Sequence, residues 1–344
     1  MPIDPAHNTP PRWKPRLIRA GEFRLDAGSM FGLIPRVVWS RSVPADDRGR
    51  LTVQHNCLLL DRAGTAPPGS PKRVLIEVGS GNKLDDKMKD VFALGDRWIG
   101  SALAELDPPV ACESIDAVVV THLHFDHAGA LTRLPAPGET PAWSGGPLGG
   151  HWDGGGGSAR VGGCLPTFPN ARVFVQRREW SDAVANRSVM TRTYYRDHLL
   201  PIEKQLVLVD SPPPFAPGLT PDRDERPHAP VDLRATELWK DAGIFVFNVP
   251  GHTWGQQAVL FTDPGGREIV FTPDVMPTVH HLGAAYSLAY DVEPYTSMVS
   301  KRWFLTEAME RRWTLCLDHE PGNPLVTVKR AARGDWFELE PAAL

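Results

Sequence analysis

Residues 121–129 read THLHFDHAG and place three of the chain's 12 histidines, with one aspartate, in the six consecutive positions 122 to 127. His122 and His124 are two apart, so a continuing strand presents both imidazoles on one face. Asp126 follows at the same spacing, and His127 turns away one step later. One short loop can therefore offer His122 and His124 to one cation, and Asp126 and His127 to a second beside it. Imidazole nitrogen and carboxylate oxygen suit Zn²⁺ and neighbouring divalent ions. Ala128-Gly129 allows the backbone to turn tightly next to them.

A metal site needs more ligands than one loop supplies. Three later segments each end an apolar strand in a ligand-type residue: His252 after IFVFNV (244–249), Asp274 after the strand over 268–272, and His319 after WTLCL (313–317). The opening motif itself follows IDAVVVTH (115–122), which reads as a buried strand. Further strands are expected over 51–60, 73–81 (ended by Gly79 and Gly81) and 257–262, a strand entering a helix over 171–180, and helices over 97–107 and 296–312. Segments 51–60 and 73–81, joined by a turn-rich connection, suggest an antiparallel start. Strand-rich, helix, strand-rich, helix is satisfied by two packed sheets with helices outside. A doubly wound nucleotide fold fits less well, because no GxGxxG follows the first strand.

The whole chain, 1–344, reads as one domain with an extended N-terminal arm over 1–20 and a Gly-rich insertion over about 135–170. The insertion has little to bury and suggests a surface flap beside the site. A second Pro-rich loop covers 211–230. The net charge of −4 and the lack of a basic run argue against nucleic acid. Cys57, Cys112, Cys164 and Cys316 are scattered, with no CxxC pair, and fit buried small residues better than a disulfide framework. No apolar stretch of about 18 residues indicates a membrane span, and no h-region indicates a leader. The expected compartment is the cytoplasm. The expected partner is a small-molecule substrate, with a homodimer as a further possibility. No GxSxG appears, so a nucleophile-elbow serine is not expected. His198, in YYRDHLLP, reads as a solvated or capping helix residue.

HLHFDHAG, PGHT, the aspartate after an apolar strand and the late strand-end histidine together resemble the metallo-β-lactamase superfamily, over about residues 50–320. The general shape is most similar to its acyl-homoserine lactonase and methyl-parathion-hydrolase-like branch. The resemblance implies an α/β, four-layer αββα sandwich with the site at one edge. It implies that His122, His124 and His252 hold one metal, that Asp126, His127 and His319 hold the other, and that Asp274 bridges them. Zn²⁺ is the ion expected in both places, with Mn²⁺, Fe²⁺ and Co²⁺ as alternatives. The sequence departs from the family pattern at Glu77-Val78-Gly79, where an Asp-Thr-Gly-like turn is common, and at Trp254-Gly255-Gln256 after PGHT.

Two divalent ions about 3.5–4 Å apart can share a hydroxide, which supplies a nucleophile at neutral pH without serine or cysteine. Asp126 is then also the candidate catalytic group that carries a proton to the leaving oxygen. The expected reaction is hydrolysis of a small-molecule ester or lactone, with acyl-homoserine lactones first. A phosphotriesterase or arylesterase is the alternative. A one-iron persulfide dioxygenase and a non-catalytic module rank lower. Phe31, Trp254 and His281 are the candidate pocket residues. Some lactonases carry a tyrosine three positions after the bridging aspartate; here that position is Pro277, which leaves Tyr286 and Tyr290 as substitutes.

Overall fold

The computed structural model describes residues 12–66, 68–143, 163–187, 193–212, 214, 233–334 and 336–344. Its first sheet holds β1 (Trp13–Asp26), β2 (Arg50–Arg62), β3 (Arg73–Ile76), β4 (Ala117–Val119), β7 (Arg172–Gln176) and β8 (Leu206–Val209), in that spatial order. A two-stranded ribbon of β5 (Thr132–Arg133) and β6 (Leu165–Pro166) stands apart. The second sheet runs in order from β15 (Phe337–Pro341) through β14 (Leu325–Arg330), β13 (Thr314–Leu317), β12 (Glu268–Thr272), β11 (Gln257–Thr262) and β10 (Ile244–Asn248) to β9 (Thr236–Glu237). The start is antiparallel, β1 with β2 and β2 with β3, whereas β3, β4, β7 and β8 run parallel.

Period-two alternation along these strands sorts the apolar side chains into layers. Leu58, Leu60, Val74, Ile76, Ala117, Val119 and Phe174 of the first sheet meet Ile244, Val246, Val259, Phe261, Ile269, Phe271 and Cys316 of the second. Their neighbours face outward. Cys57, Leu59, Leu75 and Val118 pack under Ile99, Ala102 and Leu103, which lie in the Ile99–Ala104 helix. Phe247, Ala258, Leu260 and Val270 pack under Trp303, Phe304, Leu305 and Ala308 of the long helix Pro294–Arg311. Strands covered on both faces read as continuous apolar runs, as IDAVVV and EIVFT do. The result is the expected αββα sandwich.

The expected arm over 1–20 is corrected. From Trp13 onward it is strand β1, paired with β2 from Trp13↔Arg62 to Asp26↔Arg50; residues 1–11 lie outside the described ones. Trp13, Ile18 and Phe23 are buried, and this burial outweighs the charged and proline residues between them. Most of the Gly-rich insertion, 144–162, lies outside the described residues; its flanks are tied by the β5–β6 pair and by a bridge between Trp143 and Cys164. The Pro-rich loop likewise lies outside over 215–232. His198 is also corrected: it is 1% exposed on the Arg196–Leu199 helix, against Tyr195. Among the described residues, no helix is long and apolar enough to cross a membrane.

Candidate metal centre

β4 of one sheet and β10, β12 and β13 of the other deliver their following loops to one edge of the sandwich. His122 Nε2, His124 Nδ1 and His252 Nε2 converge there. The His252 nitrogen lies 3.2 Å from that of His122 and 2.9 Å from that of His124. Next to them, His127 Nε2 and His319 Nε2 face one another at 3.1 Å. Asp274 stands between the two groups. Its Oδ2 is 3.1 Å from His252 Nε2 and 3.7 Å from His127 Nε2, and its Oδ1 is 3.4 Å from His319 Nε2. Asp126 flanks the second group, 3.9 Å from His127 Nε2 and 3.7 Å from His319 Nε2. All seven residues singled out in the sequence are thus brought together.

Two tight ligand sets result. His122, His124 and His252 form one; His127, Asp274, Asp318 and His319 form the other, with ligand-type atoms within 4.8 Å of one another in each set. Asp126 borders the second set, and Asp318 stands inside it.

The far ring nitrogens are held. His252 Nδ1 meets Asp291 Oδ1 at 2.9 Å, His319 Nδ1 meets the Gln54 carbonyl at 3.0 Å, His122 Nδ1 meets Thr121 Oγ1 at 3.0 Å, and His127 Nδ1 lies 3.2 Å from Glu77 Oε2. Such partners fix ring orientation and tautomer in metal sites. Two glycines permit the close packing. A Cβ on Gly129 would strike the Ser80 carbonyl, and one on Gly251, at φ 137°, would strike Ser297 at the start of the long helix.

The electrostatics fit cations. Burial, reinforced by neighbouring imidazoles, holds His122 and His124 well below the ordinary imidazole value, so both are neutral and able to ligate. Burial opposes charge on His127 and His252 as well, yet Asp126 with Glu77, and Asp274 with Asp291, pull these two upward. Several buried oxygens await a positive partner: Asp274 Oδ1 and both oxygens of Asp318 accept no hydrogen bond. Buried carboxylates without donors are costly unless a cation is coordinated between them. The residues present therefore fit two metal ions.

A sequence model described as the metallo-β-lactamase superfamily matches residues 52–272. The chain belongs to that superfamily. No curated protein matches it. A probable metal-dependent hydrolase from Staphylococcus aureus superposes with a TM-score of 0.68 at 21% identity, covering 93% of this chain and 94% of that one. AidC, a dizinc quorum-quenching lactonase, gives 0.62 at 14% identity over 97% and 98%. AbOPH, a hydrolase of the β-lactamase superfamily, gives 0.62 at 16% over 98% and 99%. Identities this low speak for the shared fold.

Within this superfamily fold, the candidate pocket residues part company. Phe31 is buried and stacks on His281 with ring centroids 4.9 Å apart. His281 is not free for substrate: Thr278 Oγ1 and the Met30 carbonyl engage its two nitrogens at 2.8 and 2.9 Å, and burial pushes it down to about 3. Trp254 lies partly buried under the Arg178 guanidinium at 5.8 Å, which comes from the helix Arg177–Val184. Of the two tyrosines, Tyr290 is the one beside the metal ligands, its ring edge-on to His252 at 5.8 Å and its hydroxyl 2.7 Å from Met30 Sδ. Tyr286 instead meets Phe31.

Glu77 keeps a supporting role despite its extra methylene. It takes a positive φ of 64° at the end of β3, and its Oε1 accepts from Thr121 N at 2.5 Å while Oε2 reaches His127. Sequence reasoning missed Glu179 and Asp318. Glu179, fully buried, accepts from Leu123 N at 2.9 Å and from Thr253 Oγ1 at 2.6 Å, bracing both histidine loops at once. The signal for Glu179 was a carboxylate in REW, directly after a buried strand.

Proposed function

We propose that this chain is a dinuclear metal-dependent hydrolase that opens lactones of the acyl-homoserine type. The observation that carries the two-metal part is the placement of Asp274 between a three-histidine group and a second His/Asp group. Bound divalent ions polarise an acyl carbonyl and lower the pKa of water towards about 7. The protein's own groups do the rest. His252 is oriented by Asp291, and His127 by Glu77. Asp126, at 8% exposure the most open carboxylate of the site, is placed to pass a proton to the leaving alkoxide as the acyl C–O bond breaks. Water adds across that bond, giving a carboxylate and a hydroxyl. Tyr290 supplies a hydroxyl donor for the substrate carbonyl once it leaves Met30, and Met30 and Phe31 behind it offer an apolar backing for an acyl chain. The lactone assignment is supported by full-length similarity in fold to AidC.

An aryl ester or phosphotriester is the second reading, because the same pair of metal ions would polarise a phosphoryl or an aryl-ester carbonyl oxygen. The deciding experiment is the initial rate of the metal-loaded protein on a long-chain acyl-homoserine lactone, an aryl ester and a phosphotriester, with His124→Ala as control. Lactone turnover that exceeds the other two and vanishes in the variant is expected. A faster rate on the aryl substrates, with two metals bound, would replace the lactone assignment.

A further inference from the structure

Asp318 immediately precedes His319, and the roles above leave it unassigned. Its backbone is clamped from behind by β2. Asn56 N donates to the Asp318 carbonyl at 2.9 Å, and Asn56 Nδ2 donates to the carbonyls of Leu317 and Glu320 at 3.0 and 2.8 Å. Gln54 N donates to the His319 carbonyl at 3.1 Å. Two adjacent residues of an extended chain would point to opposite faces. The clamped turn instead aims Asp318 and His319 into the same site, where a small cavity is lined by Glu77, Asp126, His127, Asp318 and His319. The Asp318 carboxylate is only 2% exposed, and neither of its oxygens has a hydrogen-bond partner. One of those oxygens lies within 4.8 Å of the ligand atoms of His127, Asp274 and His319.

We propose that Asp318 is a direct ligand of the second metal ion, and that it makes this site carboxylate-rich where the first is built from imidazoles alone. The proposal rests on the two-metal reading. The first group offers three imidazole nitrogens and borders one carboxylate, Asp274. The second offers two nitrogens, the carboxylates of Asp274 and Asp318, and Asp126 at its border. Imidazole-rich sites suit Zn²⁺, and carboxylate-rich sites accept Mn²⁺ more readily. The two positions therefore discriminate differently between ions, the second favouring Zn²⁺ over Mn²⁺ less strongly than the first. In the rival account Asp318 is purely structural, keeping a proton and sharing it with Asp274.

The test compares the wild type with Asp318→Asn, which keeps shape and removes charge. Bound metal is counted by mass spectrometry, the affinity of each equivalent is measured by chelator competition, and the Co²⁺-loaded forms are compared by visible absorption. In the wild type, two ions should bind, and preference for Zn²⁺ over Mn²⁺ should be at least about tenfold smaller at the second site than at the first. In Asp318→Asn, the first equivalent should be unchanged and the second at least about tenfold weaker, with altered d–d bands for the second Co²⁺ only. The gain in melting temperature on metal loading should shrink in Asp318→Asn. Unchanged second-site affinity and unchanged Co²⁺ bands would overturn the assignment, as would a lower metal-free melting temperature with intact metal binding. A wild type that holds fewer than two ions would sink the two-metal reading and this inference with it. If Asp318→Asn fails to fold, the wild-type competition decides, and equal Zn²⁺/Mn²⁺ preference at both sites would overturn the proposal.

Discussion

Two loops meet at the metal centre, and each rests on a buried lysine. The loop after β4 carries His122, His124, Asp126 and His127; behind it, Lys83 Nζ donates to the carbonyls of Gly129 and, at 2.6 Å, Thr132. The loop before the long helix carries His281, Tyr290 and Asp291; behind it, Lys301 Nζ donates to the carbonyls of His281 and Tyr286 at 2.8 and 2.7 Å. Each ammonium replaces water for carbonyls that a loop cannot pair within itself. The surroundings differ. Burial lowers both lysines, Lys83 to about 8 with Asp197 countering, and Lys301 to about 7 with Asp291 countering. Burial presses on both ammonium groups, and further on Lys301 than on Lys83.

Five substitutions test this contrast, beginning with the largest effect. His124→Ala, on the ligand loop, should remove one metal equivalent and bring hydrolysis below detection, read by metal analysis and initial rates. Asp291→Asn should break the neat division, because Asp291 sits on the wall loop yet orients His252. Metal affinity and activity should fall about 10–100-fold, measured by chelator competition; an effect on KM alone would restore the division. Third, Lys83→Met and Lys301→Met should each leave buried carbonyls without donors and cost about 1–3 kcal/mol per orphaned group, read by denaturant unfolding. They should differ in pH dependence. A lysine lowered on folding binds fewer protons in the native state, so stability rises with pH between the folded and unfolded values. For Lys301 that window runs from about 7 to the ordinary value of 10.5, and Lys301→Met should flatten the rise there more than Lys83→Met does, whose window opens at about 8. The smallest effect is expected from Tyr290→Phe, about tenfold on turnover, the scale of one hydrogen bond, with both metals retained. Loss of metal in that variant would mean that Tyr290 supports His252 rather than the substrate.

The ligand loop was legible because its chemistry is local. Three histidines and an aspartate within six positions need no tertiary information, and His252, Asp274 and His319 announce themselves as polar residues closing apolar strands. The wall loop was not legible, since its residues matter only through partners far away in sequence. Phe31 meets His281, and Tyr290 meets Met30, across about 250 positions. His281 looked available for substrate and is saturated by Thr278 and a backbone carbonyl. The lysines were invisible for a general reason: an isolated lysine in sequence is read as surface, and only the loop carbonyls justify burying one. Asp318 was masked by its neighbour, because alternation assigns adjacent residues to opposite faces and only the clamp from β2 overrides it. Strand β1 escaped notice through its charged and proline residues, and its pairing with β2 supplies what its composition does not.

Strand β2 belongs to the first sheet, yet Gln54 and Asn56 commit backbone and side-chain hydrogen bonds to the turn after β13 of the second. That stitch has a kinetic meaning. His122 and His319 are nearly 200 positions apart, so no partly formed half of the sandwich presents a complete binding site. Until β2 seizes the 317–320 turn, the chain can offer a metal only the single local cluster. Both metal groups draw ligands from each half of the sandwich, His252 for the first and Asp274 with His319 for the second, so neither is complete before the two halves dock.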